Sequence, residues 1–143
     1  MAILGVFTDA FISVNGVDLS ARARSVSITD EAAAVDVTAF GAGYVAEAKG
    51  LKTAVITVEF LQDFAAGQVH ATLQPLYAGS TAFAVIVRPI KAVAVSATNP
   101  NITMATAQMM GYTPLDGAIG DAATMPIEFR NAPGGAGVTY ATS

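Results

Sequence analysis

The sequence has no cysteine and no tryptophan, and its 143 residues include a single histidine, His70. Without cysteine, the chain can form neither a disulfide framework nor a thiolate metal site. A single histidine also excludes the usual metal sites that combine several histidines. We therefore expect no metal and no other cofactor.

Charge is scarce as well. Only 13% of the residues are charged and 53% are hydrophobic, whereas about a quarter of an average domain is charged. Interfaces between subunits are depleted in charge in the same way. Two interpretations stay open: the protein buries much of its surface against copies of itself, or alanine replaces charge on an inert surface.

The 7 basic residues are dispersed and the net charge is −4. This argues against tight DNA binding, because tight binding needs a basic patch.

Long apolar runs are also missing. The longest, such as residues 82–87, are far shorter than the roughly 18 residues needed to span a bilayer. The first residues, MAILGVFTDAF, have no basic segment and reach Asp9 early, so they do not resemble a secretion signal. We expect no membrane partner and no export by that route.

The clearest local signal is FISVNGVDLS at residues 11–20. Asn15 and Gly16 form a favoured pair for a two-residue type I′ turn, because both positions need positive φ. Counting outward from the turn pairs Val14 with Val17 and places the apolar residues of both strands on one face. The sequence therefore predicts a tight hairpin here.

The most convincing strand begins at residue 55. Ile56, Val58 and Phe60 alternate with less apolar residues, which is the period of two that indicates a half-buried strand. Residues 40–49 before it have no core pattern, and they predict a long loop. A loop of that length in a small domain usually has a function beyond connection. Leu51 is predicted to fix the end of this loop to the core.

Alternation and turn residues predict further strands near residues 25–29, 35–38, 83–88, 102–110 and 124–130. Pro126 indicates that the last of these lies at an exposed edge. One helix is predicted, with Asp63 as its N-cap, a stripe of Ala65, Val69, Leu73 and Leu76, and an end or kink near Pro75.

These elements favour a mainly β fold, an antiparallel sandwich or barrel with one flanking helix. We expect one domain over residues 1–143, with an N-terminal arm at 1–10 and a glycine-rich tail at 131–143 that is mobile until it packs.

The polar residues do not form an enzyme-like constellation. His70 falls beside the apolar stripe of the helix, which is typical of a boundary residue with one satisfied ring nitrogen. Asp116 and Asp121 are separated by glycines, and turn formation explains them better than calcium binding does, because the segment lacks ligand density. We therefore predict that the protein is not an enzyme.

Two residues have open interpretations. Glu59, with Thr57 beside it, is either a solvent-facing glutamate paired with Lys52 or Arg88, or it lines a channel through which DNA passes without sticking. Tyr44 either covers its own loop or anchors an interface, as rigid amphipathic rings often do.

Three segments carry a resemblance to a known family: DVTAFG at residues 36–41, KGLK at 49–52 and GYTPLDGAIGD at 111–121. Their order, together with the first hairpin and the single helix, resembles the tail tube (major tail) proteins of long-tailed bacteriophages over residues 11–129. The sequence departs from that family within the loop, where Tyr44, Val45 and Ala46 replace residues that are often basic.

The resemblance implies a structural virion protein that forms hexameric rings, which stack into a tube that delivers double-stranded DNA. Its partners would be itself and other phage tail proteins, and it would be made in the host cytoplasm and reside in the tail. We predict that the loop contacts the next ring through Phe40, Gly41, Gly43, Tyr44, Glu47 and Lys49, and that Glu59 and Thr57 face the channel. The alternative is a small β-fold capsid decoration protein or another virion-associated binding protein.

Overall fold

The computed structural model describes residues 9–142, which form eight strands and one α-helix. In chain order the strands are β1 (Phe11–Val14), β2 (Val17–Asp18), β3 (Ala23–Asp36), β4 (Glu47–Leu61), β5 (Phe83–Arg88), β6 (Asn101–Met109), β7 (Thr124–Asn131) and β8 (Val138–Ala141). A 3-10 turn at Ser20–Arg22 precedes β3, and helix α1 (Val69–Ala78) lies between β4 and β5. The predicted mainly β fold with one helix is confirmed.

The strands form one antiparallel sheet in the order β2-β1-β5-β6-β7-β4-β3. Both β7 and β8 pair with β6: residues 129–131 of β7 with residues 107–109, and residues 138–141 of β8 with residues 101–104. The loop at residues 132–137 is fixed by Asn131, whose side chain donates to the carbonyl oxygen of Gly135 and accepts from the amide of Gly137. The end of the glycine-rich tail therefore packs into the sheet. Most of the predicted N-terminal arm lies outside the described residues.

Alternating side chains of the strands form the core. Ile56, Val58 and Phe60 of β4 are fully buried, as predicted, and α1 adds Val69 and Leu73. Leu76 packs against the same core, whereas Ala65 precedes the helix and is exposed. One buried cluster thus joins the sheet to the helix.

The first hairpin forms as predicted. Asn15 and Gly16 have φ values of 51° and 81°, and the strands pair Val14 with Val17. The left-handed conformation at both turn positions explains why asparagine and glycine stand there.

The predicted start of the helix is wrong. The N-cap residue is Gln68, which makes no side-chain capping bond, and the helix begins at Val69. Asp63 has good capping chemistry, but its carboxylate accepts hydrogen bonds from the amide of Ala65 and from Arg22, so it stabilises an earlier turn. Pro75 does not end the helix, which continues to Ala78.

Pro126 does not mark an edge strand, because β7 lies between β4 and β6. β7 pairs with β4 over residues 124–130 but with β6 only at residues 129–131. One side of β7 therefore has no strand neighbour at Pro126 among residues 9–142, and a residue without an N–H is tolerated there.

A buried asparagine organises the apolar connection between β5 and β6. Asn99 is buried, and its amide donates to the carbonyl oxygens of Ile90 and Val93, both at 3.0 Å. Its side-chain oxygen accepts from the amide of Ile90 at 2.9 Å. A buried amide with these partners satisfies backbone groups that no strand satisfies.

Candidate assembly surfaces

The longest hairpin of the protein extends well beyond the core. Strands β3 and β4 pair from Ala23 with Phe60 to Asp36 with Glu47. Every residue from 30 to 53 is exposed except Gly50, which is half-buried. We call residues 30–53 the arm. Both of its faces are exposed, and an isolated two-stranded ribbon is only marginally stable in water.

The arm exposes large apolar side chains. Relative exposure reaches 110% at Phe40, 90% at Tyr44 and 88% at Leu51. The predicted role of Leu51 as a core contact is therefore wrong, since the arm carries it away from the core. Several large apolar side chains exposed on one hairpin indicate an interaction surface.

The loop at the end of the arm spans residues 37–46, not residues 40–49 as predicted. The amide of Val37 donates to the carbonyl oxygen of Ala46 at 2.9 Å, and the Thr38 hydroxyl accepts from the amide of Ala46 at 2.8 Å. These bonds continue the ladder, so Glu47 and Lys49 belong to β4, opposite Asp36 and Ala34.

We call residues 37–46 the arm tip. It retains four of the predicted contact residues: Phe40, Gly41, Gly43 and Tyr44. Gly41 has a φ of 84°, which favours glycine at that position.

Glu59 and Thr57 lie on the sheet face opposite the core, and both are half-buried. The Glu59 carboxylate lies 3.9 Å from Nη1 of Arg24, so its neighbour is Arg24 and not Lys52 or Arg88. Arg24 can reach Glu59 because it is the extra residue where the pairing of β3 with β4 shifts. Both side chains are more than a third exposed, and such ion pairs contribute little to stability.

The rest of this face is mixed and balanced in charge. Thr57 lies opposite Ser27 on β3 and Glu128 on β7. The Glu128 carboxylate is 3.1 Å from Nη2 of Arg130. Each carboxylate on this part of the face thus has an arginine beside it. We call this side of the three strands the outer face; its members are residues 24, 25, 27 and 29 of β3, residues 55, 57 and 59 of β4, and residues 126, 128 and 130 of β7.

An aromatic cluster lies at the opposite end of β4 from the arm. The side-chain amide of Gln62, directly after β4, donates to the carbonyl oxygen of Pro114 at 2.7 Å and holds the 111–123 loop there. The ring of His70 lies 4.8 Å from that of Phe64 and 5.8 Å from that of Tyr112, and Tyr77 lies 6.4 Å from Tyr112.

This cluster is only partly covered. Phe64 is 56% exposed and Leu115, next to Pro114, is 73% exposed. We call Phe64, His70, Tyr77, Tyr112 and Leu115 the aromatic end. Sequence reasoning missed it because its members come from three separate segments. Their common signal is a set of large apolar residues in or beside loops.

His70 is a boundary residue with a satisfied ring nitrogen, as predicted, since its Nδ1 lies 2.8 Å from the Tyr112 hydroxyl. Asp121 forms a turn, because its carboxylate accepts from the amide of Ala118. Among residues 9–142, no three acidic or histidine side chains are grouped so that they could hold a metal ion. No helix in the same range has the length and apolar content needed to cross a membrane.

Asp63 joins the aromatic end to the first part of the chain. Its carboxylate accepts from the amide of Ala65 at 2.9 Å and from Nε of Arg22 at 2.8 Å. The hydrogen bond from Ala65, followed by that from Arg22, lowers the pKa of Asp63 below its ordinary value. The segment between β4 and α1 is therefore held by a charged side chain.

No protein-family model and no curated protein matches the sequence. Solved structures match over nearly the whole chain. A chain from the virion of a native gene transfer agent particle has a TM-score of 0.70 and 13% identity, covering 92% of this chain and 95% of that one. A chain from the sheath/tube terminator of the extracellular contractile injection system PVC, in the extended state, also has a TM-score of 0.70, with 12% identity and coverage of 98% and 97%.

A third match comes from the tail of an empty gene transfer agent particle determined with C6 symmetry. Its TM-score is 0.59 and its identity 14%, covering 97% of this chain and 98% of that one. At such low identities the likeness is one of fold. The chain therefore has the fold of a phage tail tube-like protein, as its sequence resemblance predicted.

Proposed function

We propose that this protein is the tube subunit of a phage-like tail. Copies join side by side into rings, and the rings stack into a hollow tube through which double-stranded DNA is delivered. The observation that carries the proposal is the arm, which leaves residues 30–53 exposed on both faces in a chain that has a tail tube-like fold. The protein would act in the virion after synthesis in the host cytoplasm, together with other tail proteins.

The energetics of the arm favour a partner. Ordering the backbone costs about 1–2 kcal/mol per residue. Burial in a core offsets this cost for residues 54–60 of β4, but not for the arm. Contact with neighbouring copies would bury Phe40, Tyr44 and Val45, and so contribute the missing apolar burial.

Ring formation would satisfy the open edges of the sheet. Within the described part of the chain, β3 has a strand neighbour on one side only, and the opposite edge is the two-residue strand β2. An exposed edge of this kind is a template for pairing with another chain. We propose that neighbouring copies in a ring cover these edges and that a ring holds six copies, as in the tail determined with C6 symmetry.

The outer face suits a channel wall that DNA does not bind. Tight binding of DNA requires basic side chains that displace counterions from phosphates. On the outer face Arg24 lies beside Glu59, and Arg130 beside Glu128, so its cations are balanced. We propose that Glu59 and Thr57 face the channel and that DNA passes without specific contacts.

Self-assembly tests the proposed function. We expect purified protein at high concentration to elute, with light scattering, far above the monomer mass of 14.5 kDa, and to show rings and tubes in negative-stain images. A monomer that persists across salt concentrations would contradict the proposal. Small oligomers that never stack would favour a decoration protein instead.

The channel assignment is tested by Glu59→Lys. We expect rings and tubes to form normally, because Glu59 is partly exposed and exposed ion pairs contribute only about 0–1 kcal/mol. DNA release from assembled particles should be slowed, since each layer of the tube adds positive charges that bind phosphates.

The matched control is Glu59→Gln, which leaves Arg24 without its carboxylate but adds no second cation, so it should slow release less than Glu59→Lys does. The slowing by lysine should weaken as salt is raised. Release at the normal rate from Glu59→Lys particles would show that Glu59 does not line the path.

A further inference from the structure

Two exposed apolar surfaces lie at opposite ends of one strand. The arm tip precedes β4, and the aromatic end begins shortly after it, at Phe64. β4 has 15 residues, so at a rise of about 3.3 Å per residue its ends are about 46 Å apart. The tip cannot fold back onto the aromatic end of its own chain, because the extended strand holds them apart.

Both surfaces are uncharged where they are most exposed. Residues 37–46 contain no charged side chain, and Phe40, Tyr44 and Val45 project from them. The aromatic end offers the rings of Phe64 and Tyr77. Aromatic rings pack favourably against one another in offset or edge-to-face contacts. The two surfaces therefore match in chemistry as well as in exposure.

We propose that the arm tip of one copy docks on the aromatic end of a second copy in the next ring. This inference rests on the proposed function and adds the acceptor surface. A contact between two different surfaces is head-to-tail, and it repeats without closing when the copies are related by translation. The arm tip and the aromatic end lie at opposite ends of β4, so they can form a head-to-tail contact of this kind. Rings that stack into a tube require such a contact.

The size of the contact explains why rings would have to form first. A buried aromatic side chain covers about 150–250 Å², so Phe40 and Tyr44 together bury a few hundred Å². Stable pairwise interfaces bury at least about 1,200 Å². A single tip is therefore too small to hold two copies together. A ring presents several tips at once, and the effective concentration of each rises when the first has bound.

The absence of cysteine makes a cross-linking test clean. Ala42 is in the arm tip and Ala78 adjoins Tyr77, and both are exposed. We expect tubes of the Ala42→Cys, Ala78→Cys double variant, treated with a short bismaleimide, to give a ladder of covalent oligomers on a denaturing gel. The matched control is Ala42→Cys with Ala92→Cys, since Ala92 is also an exposed alanine and lies in the β5–β6 connection. It should give no ladder.

A second measurement removes the acceptor without touching the arm. Tyr77→Ser with Leu115→Ser should leave the domain folded and the rings intact but abolish tubes of more than a few rings. Tubes of ordinary length from this variant, or a ladder from the Ala92 control but not from the Ala78 pair, would overturn the acceptor assignment while the proposed function stands. Failure of the unmodified protein to form tubes would instead contradict the proposed function itself.

Discussion

Replacing residues 37–46 with Asn-Gly is expected to abolish long tubes while the domain stays folded. The arm tip follows the last ladder pair, Asp36 with Glu47, and Asn-Gly closes a two-residue hairpin, as Asn15 and Gly16 do in this chain. All ten replaced residues are exposed, so the thermal unfolding temperature of the unassembled protein should be unchanged. Tube length in negative-stain images and the unfolding curve report the two results.

A milder pair of variants separates loss of contact from altered arm geometry. Tyr44→Ser should shorten tubes strongly, because an aromatic anchor contributes more than the contacts around it. Val93→Ser, at another exposed apolar residue, should leave tube length unchanged. Tubes of ordinary length from the Asn-Gly protein would show that stacking is carried elsewhere, by the N-terminal or C-terminal segment.

Of the substitutions proposed for this protein, Phe129→Ala should cause the largest decrease in the free energy of unfolding. Phe129 is fully buried in β7 and meets the ring of Phe83 edge-on, at 5.8 Å between centroids and 84° between planes. Replacing a buried phenylalanine with alanine costs about 3–5 kcal/mol, a large share of the roughly 5–15 kcal/mol that stabilises a typical domain. Denaturant unfolding of the full chain, at a protein concentration low enough to keep it unassembled, measures this without a contribution from stacking.

Phe40→Ala is the control for the same substitution at an exposed site. Phe40 has an exposure of 110%, and surface substitutions usually change the free energy of unfolding by no more than about 0.5 kcal/mol. In the otherwise unchanged chain, Phe40→Ala should shorten tubes, so the two phenylalanines should separate folding from assembly. An unchanged unfolding midpoint in Phe129→Ala would contradict the core described above.

The parts of the fold that the sequence predicts are those with one buried face. In β4, Ile56, Val58 and Phe60 alternate with half-buried residues because a core lies on one side. The arm has no such asymmetry, since both of its faces are exposed, and the sequence therefore predicts residues 47–49 of β4 as part of a loop. The prediction for Leu51 is wrong for the same reason: Leu51 is apolar, but it is 88% exposed because the arm carries it away from the core.

Other errors come from side chains with more than one use. Asp63 has the chemistry of an N-cap, yet its carboxylate accepts a hydrogen bond from Arg22, which is distant in sequence. The role of Asn99 likewise depends on where the carbonyl groups of Ile90 and Val93 lie in the folded chain, which the sequence does not indicate. Of the two proposed assembly surfaces, the sequence indicates only the arm tip, because Phe40 and Tyr44 lie close together in one segment.

Strand β4 also determines how the molecule would carry a mechanical load. Hydrogen bonds between antiparallel strands lie perpendicular to the strand direction. A pull on the arm tip along β4, resisted through the 111–123 loop that precedes β7, therefore shears the pairing of β4 with β7, at residues 55–61 and 124–130, and loads all of these bonds together. Peeling would break them one after another at a lower force. A subunit held at its arm tip and at its aromatic end would thus bear tension through its most strongly paired strand.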